Sequence, residues 1–286
     1  MSHPPRSLTV FSHARPEQTD DALRRVIELA SQAGIDVRVP QDEVDKHGLE
    51  PGDGVVLGAE REGDTDLAVV LGGDGTILST LRLYAGRRVT VFAVNFGTIG
   101  FLATVEPSEL DEDMRLALSG ELDVLELPGL LASTAQGDEL AINDISFHRR
   151  HTGRVAELAY SVQREQLGEV RCDGLVVATP AGSTGYNLAN GGPVLAWGVE
   201  GYVVSFIAPH TLTARALVVA PGDVLAVTNR SREADVEMTT DGRTACVLAR
   251  EETIEIRFQP GCALLAQVPG ASFYHRLREK FGRLAY

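Results

Sequence analysis

Residues 69–76 read Val-Val-Leu-Gly-Gly-Asp-Gly-Thr, an apolar run that stops at a glycine-rich turn with one acid inside it. An apolar stretch (Ile77, Leu78, Leu81, Leu83) follows. The segment therefore has the form of a buried strand feeding a tight turn that opens a helix. Gly72, Gly73 and Gly75 leave the backbone bare, and bare amides at a helix start can approach a phosphate closely. Asp74 stands where the phosphates would lie. A carboxylate beside a polyphosphate is unfavourable unless it binds a metal or takes a proton. The turn thus points to phosphate chemistry with a base or a metal ligand at its centre. Taken alone, such a glycine-rich tripeptide is more often a plain strand-to-helix connection.

A second glycine-rich segment with an acid at its head argues for function. It begins at Asp173 and runs through Thr179-Pro180-Ala181-Gly182-Ser183-Thr184-Gly185-Tyr186-Asn187 to Pro193. Leu175 to Ala178 reads as a strand, and residues 179–182 read as a turn. Ser183 or Thr184 is placed to cap a short helix reaching Ala189. Gly191-Gly192-Pro193 then stops it. Hydroxyls at such a helix start are good hydrogen-bond donors to ribose or phosphate, and Tyr186 offers a flat face for a base.

With both segments in view, the chain resembles the NAD kinases over most of its length. Gly72-Gly73-Asp74-Gly75-Thr76 matches the family's first motif, and Asn95 through Leu102 matches the segment after the next strand. Asn143-Asp144 sits where the family has Asn-Glu. Asp173 through Pro193 matches the longest motif, and Asp241-Gly242 a short C-terminal one. The first motif is shared with lipid kinases and resembles that of phosphofructokinases; the ordered set is specific.

Composition bounds the alternatives. The 286 residues are 44% hydrophobic, enough for one large core or two modest ones. No apolar stretch is long enough to span a membrane, and the N-terminal residues lack the layout of a signal peptide. Cys172, Cys246 and Cys262 form no Cys-x-x-Cys pair, so neither a disulfide framework nor a zinc site is expected. They read as reduced core residues of a cytoplasmic protein. The net charge of −14 argues against nucleic acid. It leaves room for nucleotides, because backbone amides and Mg²⁺ supply positive charge locally. The only lysines, Lys46 and Lys280, lie in no P-loop context, and no Gly-x-Gly-x-x-Gly follows a strand.

The elements that must position the two glycine segments fall into two halves. Leu8–Ser12, Ile35–Val39, Leu67–Leu71 and Val89–Val94 read as strands, with helices over 17–33 and from the acidic turn to about Tyr84. Residues 40–65, acidic and glycine-containing, read as a loop of low order. This alternation predicts a parallel sheet covered by helices. Pro107 to Ser119 reads as a further helix. Beyond it come short β-branched or alternating runs between turns, which predict an all-β second domain. The expected fold is an α/β N-terminal domain over 1–106 and a β-rich domain over 107–267. The resemblance implies that a terminal helix within 268–286 packs back on the first domain.

The resemblance also implies roles. Asp74 accepts or orients the proton of the adenosine 2′-hydroxyl, with Gly72, Gly73, Gly75 and Thr76 beside it; metal binding is its alternative role. Asn143-Asp144 grips a ribose diol of NAD, although on its own the pair reads as a strand end or edge. Asp144 is one methylene shorter than the usual glutamate and reaches about 1.5 Å less. Asp173 reaches the nicotinamide end, often from a neighbouring subunit. Thr184, Gly185, Tyr186, Asn187 and Ala189 match the stretch around adenine and ribose. Ala181 and Ala189 each replace a hydroxyl residue, and Gly185 an alanine. Arg154 and Arg171 fall near positions of pocket residues, with solvated surface charge as the plain alternative. Ala208 and Arg243, the latter in place of glutamine, complete the expected binding set. His148 and His151 read as surface residues, and Trp197 as a packing residue.

The first functional expectation is an ATP-dependent NAD kinase. It would use Mg²⁺, with ATP or also polyphosphate as donor, in a homodimer or homotetramer. A lipid kinase sharing the first motif and a non-catalytic NAD-sensing module are the alternatives.

Overall fold

The computed structural model describes residues 3–52, 54–97, 100–103, 105–150, 155–232 and 235–282. The chain divides into two compact units, residues 1–126 with 263–286, and residues 127–262.

In the first unit, β1 (Ser7–Ser12), α1 (Asp20–Gln32), β2 (Asp36–Pro40), α2 (Gln41–His47), β3 (Val55–Ala59), β4 (Leu67–Gly72), α3 (Asp74–Leu83), β5 (Thr90–Asn95) and α4 (Leu110–Ser119) follow in order. The strands pair in parallel in the order β5-β4-β1-β2-β3. Every residue of β1, β4 and β5 is buried, as befits parallel strands covered on both faces. Leu23, Val26, Leu29 and Ala30 form the buried face of α1. They share one core with Leu8, Val69, Phe92 and Met114.

Two expectations need correction here. The domain boundary does not follow residue 106. α4 is part of the first unit, and Asp111 on α4 takes a two-pronged ion pair from Arg25 on α1, at 2.9 and 2.5 Å. Residues 40–65 are not a loop of low order, because they contain α2 and β3. The polar character of α2 hid it: its buried residues are Glu43 and His47. Glu43 accepts from the Ser12 hydroxyl at 2.5 Å and from Lys46 at 2.8 Å. His47 bridges the Ser12 hydroxyl at 2.8 Å and Asp20 at 3.1 Å. A buried polar face is tolerated when its members satisfy one another.

The second unit contains β6 (Asp123–Thr134, from residue 127), β7 (Gly137–Ala141), β8 (Asp144–Arg149), β9 (Ala156–Val162), β10 (Glu165–Cys172), β11 (Gly174–Ala178), α5 (Tyr186–Ala189), β12 (Tyr202–Ile207), β13 (Leu217–Val219), β14 (Leu225–Asn229), β15 (Val236–Thr240), β16 (Arg243–Leu248) and the first part of β17 (Thr253–Gln267). One antiparallel sheet runs β13-β12-β11-β8-β15-β16. In the other, β14 lies between β9 and β17, with β10 beyond β9. A single core draws Phe147, Val177, Val204 and Met238 from the first sheet and Leu158, Val170, Leu225 and Ile256 from the second. The unit is thus a β-sandwich.

Strands β10 and β16 were not legible as strands. β10 begins after a turn at Gln163 and Arg164, both at positive φ, where no Asn-Gly or Asp-Gly pair announces a hairpin. Both strands lie at a sheet edge, with mixed polar sequences.

The last residues of β17 return to the first unit, where Leu264 and Leu265 pair with β5. α6 (Phe273–Phe281) belongs there too. Phe273 and Phe281 rest against Phe101 at ring distances of 5.7 and 5.6 Å. No helix among the described residues is long and apolar enough to cross a membrane.

Candidate active site

The acidic turn sits where β4 hands over to α3. Gly73 occupies the N-cap position and Asp74 opens the helix. The turn is packed tightly at Gly72 and against Gly97, while a Cβ on Gly75 would meet nothing within 4 Å. A Cβ on Gly72 would lie 2.8 Å from Thr76, and one on Gly97 would lie 2.9 Å from the Gly73 Cα. Asn95 steadies the facing segment by accepting from the Gly97 amide at 3.1 Å and donating to Glu106 at 3.2 Å.

Asp74 is half-buried and held by backbone. Its Oδ1 accepts from the amides of Phe101 and Leu102, both at 3.1 Å, and its Oδ2 accepts from Phe101 at 2.8 Å. Burial pushes its pKa above the ordinary carboxylate value. The two amides oppose that rise, as do the charges of Arg276 and Lys280. A carboxylate oriented by two peptide N–H groups at a helix N-terminus is a group fixed to accept a proton along a set direction. Nothing along the chain announces the group behind these amides. Arg276 on α6 is buried and donates to the carbonyls of Phe101 at 2.6 Å and Leu102 at 3.3 Å. Beside the first turn of α3 lies a cleft of about 550 Å³, lined by Gly75, Thr76, Ser79, Lys46 and Arg61.

The second unit gathers the other candidates. Asp241 turns back between β15 and β16 with φ 47°. Its carboxylate accepts from the amides of Ile142, Asn143 and Asp144 at 3.0, 2.7 and 3.1 Å. That clamp fixes the Asn143-Asp144 pair at the start of β8. The turn after β11 is fastened to the same place. Thr179 donates its amide to the Asn143 carbonyl at 2.9 Å and its hydroxyl to Ile142 at 2.7 Å. Gly182 packs directly on Asn143, where a Cβ would meet the carbonyl oxygen at 2.0 Å. The Asn143 side-chain oxygen is buried with no partner among the described residues, so a ligand hydroxyl there would satisfy it.

Asp144 is 8% exposed. Burial, and then the neighbouring Asp241 carboxylate, push its pKa up to about 7. The sign is that of a raised acid: its ionisation opposes folding above pH 7, and the penalty disappears as pH falls toward the unfolded value. Asp144→Asn should therefore raise Tm by about 5 °C at pH 8 and by much less at pH 5. Scanning calorimetry at the two pH values checks this; equal shifts would show that Asp144 does not carry the strain.

Several expected site groups are turned toward protein. Ser183 does not cap a helix: it is buried, donates to the Pro180 carbonyl at 2.7 Å and accepts from the Leu195 amide at 2.9 Å. Asn187 is fully buried and ties the carbonyls of Ser183 and Pro193 together, both at 2.9 Å. Thr184 donates to the Ala181 carbonyl at 3.1 Å, and Ala181 is buried. Gly185, Tyr186 and Ala189 are exposed on the outer side of that turn. Asp173 is half-buried and pairs with Arg149 at 3.2 Å. Arg171 is exposed and pairs with Glu157 at 3.2 Å. Ala208 and Arg243 are exposed, Ala208 with φ 43°. Arg154 and His151 lie outside the described residues. Trp197 is buried.

His148 is not a surface residue. It is half-buried, bonds the Ser146 hydroxyl at 2.8 Å and stacks on Tyr186 at a ring distance of 5.6 Å and 15°. Burial holds its pKa below the ordinary value, so the ring is neutral near pH 7. Among the described residues, no group of three or more His, Cys, Asp or Glu side chains is placed to hold a metal.

An α/β unit with an acidic glycine turn at a helix start, continuous in one chain with a β-sandwich that clamps Asn-Asp and Gly-Ser-Thr turns together, defines a two-domain nucleotide-binding protein. Residues 8–122 match the ATP-NAD kinase N-terminal domain and residues 142–266 the ATP-NAD kinase C-terminal domain. The chain belongs to the ATP-NAD kinase family. It is 36% identical over 226 residues to the NAD kinase of Gemmatimonas aurantiaca, covering 76% of this chain and 77% of that one. It is 32% identical over 283 residues to the NAD kinase of Nitratidesulfovibrio vulgaris, covering 96% of each. In fold it is similar to a yeast NADH kinase complexed with NADH (TM-score 0.88, 22% identity, 99% of this chain, 89% of that one). It is similar also to an NAD kinase from Archaeoglobus fulgidus in complex with ATP (TM-score 0.73, 24% identity, 97% and 98%). The lipid-kinase and sensor alternatives find no support in these relations.

Proposed function

We propose that the protein transfers the terminal phosphoryl group of ATP to the 2′-hydroxyl of the adenosine ribose of NAD⁺, giving NADP⁺ and ADP. The observation that carries the assignment of roles is the Asp74 carboxylate, oriented by two backbone amides at the start of α3. Asp74 accepts the 2′-hydroxyl proton as the phosphoryl group moves onto that oxygen. Asn143 and Asp144 hold a ribose diol: the unpartnered Asn143 oxygen and the Asp144 carboxylate accept from hydroxyls. The exposed Tyr186 face, backed by neutral His148, receives a base. Thr184, Gly185 and Ala189 line its approach, with Ala181 buried behind them. Asn187 acts by holding that turn.

Gly72, Gly73, Gly75 and Thr76 suit the phosphates of the donor; in the adjoining cleft Lys46 and Arg61 are paired with Glu43 and Asp42 and would have to exchange those partners for phosphate. Both Asp74 oxygens are already engaged by amides, and magnesium keeps several waters and bridges substrate phosphates. The donor set therefore fits an ion carried in on ATP, where it neutralises phosphate charge. In this reading Asp173 serves the nicotinamide end, and Arg171, Ala208 and Arg243 serve the margin of the pocket; Arg154, outside the described residues, belongs to the same expected set. A homodimer or homotetramer in the cytoplasm completes the reading.

The test is NADP⁺ formation from NAD⁺, MgATP and purified protein. Diacylglycerol serves as a competing acceptor, polyphosphate as a second donor, and light scattering gives the oligomer. NADP⁺ is expected. An NAD⁺-dependent rise in Tm without turnover would establish a binding module instead.

A further inference from the structure

We propose that Arg276 is a positioning residue for the phosphoryl-transfer step: its guanidinium holds the peptides that aim Asp74 and keeps that carboxylate in the proton-accepting form. The inference rests on the reading of Asp74 as the proton acceptor.

The geometry is a relay through one peptide group. Arg276 Nη1 donates to the Phe101 carbonyl at 2.6 Å, and the N–H of the same peptide, from Leu102, donates to Asp74 Oδ1 at 3.1 Å. A second contact to the Leu102 carbonyl at 3.3 Å fixes the guanidinium across two successive peptides. A cation at the carbonyl end polarises the peptide and strengthens what its N–H gives to an anion. The segment comes close enough for this because residue 100 is glycine: a Cβ there would stand 3.2 Å from Asp74 Oδ1 and 3.1 Å from Asn95 Oδ1.

Arg276 is 7% exposed, and a guanidinium is not left in such a place without partners. Burial lowers its pKa to about 10, against the pull of Asp74, Glu279 and Glu106, so it stays charged at neutral pH. Among the described residues, the charged groups acting on Asp74 are Arg276 and Lys280, both on α6. Lys280 lies 4.0 Å from Glu106 and is partly offset by it. Burial drives the Asp74 carboxyl toward its neutral form, which cannot accept a proton, and Arg276 is the cation bonded to the peptides that counter this. A helix at the end of the chain thus tunes a carboxylate on the central strand-turn-helix unit.

The experiment measures kcat, KM for NAD⁺ and the pH profile of kcat for the full chain, Arg276→Gln, Arg276→Lys and Asp74→Asn. Arg276→Gln is expected to lower kcat about tenfold or more, leave KM within about threefold, and move the acidic limb up by about one pH unit. The sign follows from the relay: without the cation Asp74 ionises at higher pH. Arg276→Lys keeps the charge but replaces the long planar guanidinium with a shorter, more flexible donor, so its limb should stay near the parent's while kcat falls about threefold or more. A parental kcat and limb in Arg276→Gln overturns the proposal. So does lost activity with an unmoved limb, which marks a residue that only anchors α6. Should the glutamine variant not fold, the lysine variant decides, parental kcat overturning the proposal. If Asp74→Asn is itself fully active, the base assignment has failed; if it is inactive while Arg276→Gln is normal, only the relay has.

Discussion

Asp74→Asn is expected to lower kcat for NADP⁺ formation by about a hundredfold or more, with Tm at or above the parent's. Asparagine keeps the volume of the side chain. Its oxygen, placed as Oδ1 is, still accepts from the amides of Phe101 and Leu102, so no buried N–H is orphaned. What it cannot do is take a proton. It also removes a group whose charged form is disfavoured by burial, which offsets the donor-to-donor contact its NH2 makes where Oδ2 accepts from Phe101 at 2.8 Å. Stopped-time NADP⁺ assays and calorimetry on the same preparation check both halves. Equal turnover by the two proteins would remove Asp74 from the chemistry. A collapse of Tm would mean that the carboxylate is structural.

Gly182→Ala is expected to cost about 3 kcal/mol or more in stability, beyond the usual range for one added methyl, and to weaken NAD⁺ binding at least about tenfold. The added Cβ would lie 2.0 Å from the Asn143 carbonyl oxygen and 2.4 Å from its carbon. These are backbone atoms, so no rotamer change relieves the overlap. The turn over 179–184 must move off β8. That motion breaks the bond from the Thr179 amide to the Asn143 carbonyl and strains the one from its hydroxyl to Ile142. Asn143 would then lose its aim toward a ligand. Denaturant melts and isothermal titration with NAD⁺ read the two effects. A stable variant with parental affinity would show that the close approach of turn and strand is not needed. Gly182 does not have a positive φ, so the requirement is contact alone.

The local part of this molecule was legible. β1, β4, β5 and α3 announce themselves by apolar runs and glycine punctuation, and Gly72 to Thr76 fall where β4 ends and α3 begins. A strand, a tight turn and a helix start are specified by residues within a dozen positions of one another, so their signals survive in the sequence. α2 was not legible, since Ser12, Glu43, Lys46 and His47 bury one another's polarity and imitate a surface loop. β10 and β16 carry no clear strand signal, because edge strands with one solvated face lack the apolar alternation that marks a central one.

The site shows the same division. The sequence by itself determined which residue types could do the chemistry: Asp74 in its glycine turn, the Asn143-Asp144 pair, and the hydroxyl-rich turn before Tyr186. Only the tertiary structure decided which polar groups remain for a ligand. Ser183 and Asn187 look like donors in the sequence, yet their bonds are consumed inside the turn. Asp241 clamps amides 97 to 99 residues before it. Arg276 acts on a carbonyl 175 residues away. Hydrogen-bond capacity is a property of a residue, but whether it is spent depends on neighbours that only folding brings within 3 Å or so, and no spacing along the chain records them.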